Sequence, residues 1–349
     1  MSMTAAGLGF ASIASILGFS LGGRFVHGFT DPKLVAVVLG VVVAATWHNW
    51  RESPLCRPVV LYLGCLLPSL LNSIDLPTSL FGFVNEKSHV YSGGLLTTLL
   101  CAGGILMAEQ LEDRKDAENL NRAILAAAVL AALATIGQRM GHDIFNFGTN
   151  EGRALAFSGA HYDAGSLFVV LLSFLTVPVV RPLYGAAIWA TAARGAFLGG
   201  LVALVPVRHR VKAFAVLAFA GMAYACLPAT NQSDRGRQGL WKIAAESASF
   251  LGAGPATFPQ VMARQKTAEW TAKYQPEDPK FFQAHAHNAI LDTMVTKGFF
   301  GLLGLLTLLA LPELAGLWTV AMFNPISFEI VFVACVLAGL NRRLQGENL

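Results

Sequence analysis

What most constrains this chain is a rhythm: apolar runs of roughly 14 to 20 residues return from one end to the other. They lie at roughly 5–22, 34–47, 58–72, 90–108, 123–138, 163–180, 183–207, 213–228, 289–311 and 313–340. Only 13% of the residues are charged, against about a quarter in an ordinary soluble domain. The pattern predicts an all-α polytopic integral membrane protein. A transmembrane barrel would instead alternate in segments of about ten residues. The formal charge of +4 sits in short loops, which reads as a topology signal and gives no reason to expect nucleic acid. Five scattered cysteines (Cys56, Cys65, Cys101, Cys226, Cys335) form neither a disulfide framework nor a metal pattern. The first run lacks a basic leader and a cleavage site, so it is expected to stay in the protein.

Orientation follows from the basic loops: Arg51 to Arg57, Arg114 to Arg122, Arg208 to Lys212, and Arg342-Arg343. Placing all four in the cytoplasm requires an even number of crossings between each pair. A single helix over 183–207 breaks that rule. Two short helices, 183–193 and 195–207, turning at Arg194-Gly195, satisfy it. Irregular backbone at membrane depth is tolerated only where it is buried in protein or faces a watery cavity, so the break at Arg194 is itself a site hypothesis. The total becomes about twelve helices, some short or broken, with both termini cytoplasmic. The expected organisation is a helical region over 1–228, one large periplasmic loop over 229–287, and C-terminal helices over 288–349.

That loop is the one long polar interval. Leu240, Trp241, Ile243, Ala244 and Phe250 recur at near-helical spacing, as in a helix lying on the membrane surface or packed on the membrane domain. The loop ends at His287, which opens an apolar-periodic segment and so sits near a helix N-terminus. The helix dipole and burial both favour a neutral imidazole there. Such a group suits a general base acting on a hydroxyl; a simple cap facing lipid headgroups would look the same. His285 reads as a solvated neighbour.

Four arginines fall on the outer side: Arg153, Arg194, Arg235 and Arg237. Guanidinium groups grip phosphate through two parallel hydrogen bonds and do not titrate. Converging at one face, they would hold a pyrophosphate leaving group; singly, Arg153 and Arg235 could be headgroup anchors. Gly252, Gly254 and Gly298 allow close backbone approach or simply tight turns. No outer Asp-x-Asp pair and no phosphate-binding loop appears, so neither a metal-gripped diphosphate nor nucleotide hydrolysis is expected. Acidic residues are missing from the middle of the apolar runs, which argues against an ion-coupled small-solute transporter.

At these residues the chain resembles the bacterial O-antigen ligases and O-antigen polymerases. The ligase pattern is His, then Asn, Ser or Gln, nine residues, and Gly-x-x-Gly, Thr or Tyr. Here it reads His287-Asn288, Ala289 to Lys297, then Gly298-Phe299-Phe300-Gly301. Glu151 to Gly159 is similar to an Arg-Gly-Phe stretch of the family. Ala193-Arg194-Gly195-Ala196 is similar to its Ser-Arg-Gly-Ala turn, with Ala replacing Ser. Arg237 to Trp241 and Gly252 to Phe258 are similar to its Arg, Trp and Gly-x-Gly elements. The match covers roughly 150–301.

The resemblance implies a glycosyltransferase in the bacterial inner membrane with its active site facing the periplasm. It would move a glycan from undecaprenyl diphosphate to a lipid A–core hydroxyl, inverting the anomeric centre, without metal or other cofactor. His287 would activate the acceptor, Arg194 with Arg153 or Arg237 would hold the diphosphate, and Asn288, Gly298 and Gly254 would support them. A polymerase joining lipid-linked repeats is the alternative, then a protein oligosaccharyltransferase; a transporter is the alternative of another class.

Overall fold

The computed structural model describes residues 1–17, 30–46, 56–85, 89–91, 94–143, 149–150, 153–154, 161–174, 178–225, 232–276, 283, 285–309, 312–322 and 328–345. The described residues are helical apart from turns and two small antiparallel hairpins.

The first part comprises α1 (Met3–Leu17), α2 (Thr30–Thr46), α3 (Cys56–Leu71) and α4 (Leu76–Phe81). A hairpin of β1 (Phe83–Asn85) and β2 (His89–Tyr91) leads to α5 (Leu95–Glu109) and α6 (Arg114–Arg139). A second hairpin, β3 (Thr149–Asn150) with β4 (Arg153–Ala154), precedes α7 (His161–Phe174). Then come α8 (Arg181–Thr191), α9 (Arg194–Leu204) and α10 (Val207–Ala225).

The expected break is present. Ala192 adopts a left-handed φ of 50° and ends α8, Ala193 caps α9, and the chain doubles back. This return brings the basic stretch to where α7 finishes. Arg210 there donates to the carbonyls of Ser173 (3.3 Å), Ala203 (2.7 Å) and Val205 (2.9 Å), joining the last turns of α7 and α9. A buried guanidinium fits there because helix C-termini leave carbonyls without partners.

The polar loop folds into α11 (Gln232–Ser247), α12 (Phe258–Gln265) and α13 (Ala268–Tyr274), and the chain continues with α14 (Ala289–Thr296), α15 (Gly298–Leu309), α16 (Ala315–Ala321) and α17 (Phe328–Gln345). The helices run between two ends. At one, the Ser2 amide donates to Asp116 (2.6 Å), and Arg343 donates to the carbonyls of Leu111 (2.6 Å) and Glu112 (2.9 Å). The N-terminus, the start of α6 and the end of α17 therefore share that end. At the other, Arg139 of α6 lies 5.7 Å from the ring centroid of Trp189 in α8, and the loop after α3 meets the loop after α11.

Helix contacts are made by small residues. Gly40 of α2 packs on Ala11 of α1, and Gly199 of α9 on Gly316 of α16, as in bundles whose helices approach closely. Large apolar side chains also face outward, among them Leu39, Val60, Leu133, Phe197, Phe219 and Leu306. A bundle that is apolar outside as well as inside suits lipid. Among the described residues one helix, Arg114–Arg139, is long and apolar enough to cross a membrane, while the shorter apolar helices run 10–17 residues.

The loop region has a core of its own: Leu240, Ile243 and Ala244 of α11 with Phe258, Val261, Met262 and Trp270, closed by Ala286 and Val295. The helix around Trp241 thus turns its apolar stripe toward protein, the packed alternative. Trp270 Nε1 donates to the carbonyl of Gly239 (3.2 Å), fixing α13 across α11.

Candidate functional site

The site is built on the start of α14. Asn288 is its N-cap: Oδ1 accepts from the amides of Ile290 and Leu291, each at 3.1 Å. Directly before it, His287 takes a φ of 55°. A residue with a Cβ rarely adopts that conformation, which costs about 1–3 kcal/mol and persists only where surrounding structure holds it. Asp292, one turn into α14, supplies part of the hold. Its Oδ1 accepts from the Ala286 amide (3.0 Å), and its own amide donates to the Asn288 carbonyl (2.8 Å).

The imidazole on this strained backbone is also oriented. Nε2 lies 3.2 Å from Oε1 of Gln283, a contact that suits the tautomer with the proton on Nε2 and the lone pair on Nδ1. Nδ1 is sealed from solvent and, among the described residues, has no hydrogen-bond partner. Burial pushes the His287 pKa down to about 3, helped by the charge of Arg237 and by His285 and opposed by Asp292. The ring is neutral at physiological pH, with a buried nitrogen that has no partner among the described residues.

Arg237 reaches this place because α11 packs on α14. Two residues earlier Arg235 is exposed, which separates the two arginines that the sequence offered together. Arg194 is exposed at the start of α9, in the turn that packs on Gly165 near the beginning of α7. Arg153 begins β4, paired with Asn150, and β4 lies against α6, α7 and α8. Its side chain, and the rest of the stretch 151–159 apart from Ala154, lie outside the described residues. Arg153 and Arg194 thus stand around the start of α7, and Arg237 beside His287.

Gly254 and Gly298 belong to a different feature. The turn after α11 docks on the last turn of α14: the amides of Ala253 and Gly254 each donate over 2.8 Å, to the carbonyls of Val295 and Thr296. Those carbonyls would otherwise be orphans of the helix end. Gly254, at φ 109°, lies against Ser73 and Ser79, and Asn72 Nδ2 donates to the Gly252 carbonyl (2.7 Å). The loop after α3 is tied in further by Gln260, which donates to Asp75 Oδ2 (2.8 Å). The hydroxyl of Thr78 holds the Asp75 carboxyl below the usual carboxylate range.

Sequence reasoning passed over Gln283, Asp292 and Lys297. Lys297 donates to the Tyr62 hydroxyl (3.1 Å), linking the motif to α3. Asp292 and Lys297 are the two charged residues among the nine between Asn288 and Gly298, and that signal was legible. His285 is half-buried, its Nδ1 3.7 Å from Asp292, and is not the solvated neighbour expected. Among the described residues no group of three His, Cys, Asp or Glu could hold a metal ion. No family model, curated protein or solved structure matches this chain.

Proposed function

We propose that this protein is a membrane-embedded glycosyltransferase of the O-antigen ligase type. It takes a glycan from undecaprenyl diphosphate and joins it to a lipid A–core hydroxyl at the periplasmic face of a bacterial inner membrane. The observation that carries this reading is the unpartnered, sealed Nδ1 of a strained, neutral His287 beside the cationic Arg237. A lone pair held this way suits a general base, and a guanidinium next to it suits an anionic leaving group.

The reaction requires the cover over Nδ1 to move aside for the acceptor; the acceptor hydroxyl then gives its proton to Nδ1 as its oxygen attacks the anomeric carbon. The bond from that carbon to the diphosphate breaks, and undecaprenyl diphosphate departs with the bonding pair. Attack opposite the leaving group inverts the centre. Arg237, with Arg194 and Arg153, balances the charge that builds on the diphosphate. Burial is the main cause of the low His287 pKa and the charge of Arg237 the lesser one. The diphosphate would offset only that lesser part, strengthening the base somewhat once the donor is bound.

In this reading the chain crosses the membrane about twelve times, several crossings being short, with α14 and α15 forming one and the α8–α9 turn at the periplasmic side. In that frame the N-terminus, the start of α6, Arg210 and Arg343 are cytoplasmic, and α11 to α13 form a periplasmic cap. The test is transfer by purified protein from undecaprenyl-diphosphate-linked glycan to lipid A–core. Labelled lipid A–core is the expected product; glycans lengthening on their own lipid would move the assignment to a polymerase. No transfer of either kind would overturn it.

A further inference from the structure

We propose that Asp292 is the positioning residue for His287, a role that rests on His287 being the base. Three observations carry it. First, the helix does not need Asp292 as a cap, because Asn288 already binds the Ile290 and Leu291 amides. Second, the Asp292 carboxylate reaches back past the cap to the Ala286 amide at 3.0 Å, while its amide holds the Asn288 carbonyl at 2.8 Å. The amide bond is the ordinary first-turn bond of α14, so what is particular to Asp292 is its carboxylate. It ties the residue before His287 to the helix after it, and the left-handed backbone between them needs such a hold. Third, its other oxygen lies 3.7 Å from Nδ1 of His285, so the clamp extends to 285. The rotation of the segment sets where Nδ1 of His287 points, and small misplacements of a reacting group cost rate steeply.

Asp292→Ala and Asp292→Asn, made in the full chain in lipid, test this. Asparagine keeps an oxygen for the Ala286 amide, whereas alanine keeps none. Asp292→Ala is expected to lose at least tenfold in kcat with donor KM within about twofold, and Asp292→Asn to recover most of the loss. Independently of activity, hydrogen exchange of amides 285–288 is expected to quicken at least tenfold in Asp292→Ala and little in Asp292→Asn. Full kcat in Asp292→Ala with His287→Ala inactive would overturn the role and leave the ligase reading intact. Equal loss in both variants, with the melting transition lowered alike, would make Asp292 a structural residue only. If wild type transfers nothing, the reading beneath the role fails, and unchanged exchange would remove the clamp as well.

Discussion

Gly252 and Gly298 meet backbone to backbone. Each has a positive φ (77° and 68°), and a Cβ on either would lie 2.5 Å from the amide nitrogen of the other. The contact locks the turn after α11 to the junction of α14 and α15, so two glycines distant in sequence form one joint under the site. Around it, Phe299 donates from its amide to the Phe250 carbonyl (2.9 Å) and the two rings stack at 5.5 Å.

Gly298→Ala and Gly252→Ala are each expected to destabilise the cap. The backbone strain alone costs about 1–3 kcal/mol, and the clash with the facing main chain adds to it. Thermal melting and limited proteolysis within α11 to α13 measure this; a melting point equal to wild type would contradict the joint.

The depressed pKa of His287 gives a pH dependence with a definite sign. Its value in the fold is about 3, against an ordinary 6.5. Between those values the unfolded state binds a proton that the folded state does not, so stability is lost as pH falls below about 6.5. At pH 5 the loss is about 2 kcal/mol at most, since one pKa unit is worth about 1.4 kcal/mol and partial solvent access to the ring reduces it. Melting at pH 7.5 and pH 5 should show a larger drop for wild type than for His287→Gln.

Arg237 and Arg235 are expected to separate. Arg237→Ala removes the charge facing His287, so the pKa of His287 should rise while donor KM increases at least tenfold. Arg235→Ala, which alters an exposed side chain, should leave both within about twofold. Titration of the histidine by NMR and donor kinetics check the pair.

Arg194→Lys keeps the charge at the α8–α9 turn and loses the two-point guanidinium contact. Turnover is expected to fall at least tenfold in protein that still inserts into the membrane. Wild-type turnover would remove Arg194 from the site.

The α8–α9 break was legible because Arg208 to Lys212 had to return to the side of Arg51, and charge placement is written in local sequence. The motif from His287 to Gly301 was legible as spacing; the cap was read at His287, whereas the structure gives it to Asn288, one residue on. What the motif holds together was not legible. Gly252 meets Gly298, and Asn72 meets Gly252, through long-range packing that no period reveals. Arg237 was singled out only by the resemblance, with Arg235 open as a headgroup anchor, and it is the packing of α11 on α14 that brings the charge of Arg237 to bear on His287. The left-handed backbone at His287 was not legible, since histidine is only enriched there and most histidines still take negative φ.

The most direct measurement is transfer of undecaprenyl-diphosphate-linked glycan to lipid A–core by wild type and His287→Gln, both folded in the same lipid. The expected result is labelled lipid A–core with wild type, and a rate at least a hundredfold lower with His287→Gln, consistent with the contribution of about 10² to 10⁴ of a general base. Equal rates in the two proteins would contradict His287 as the base.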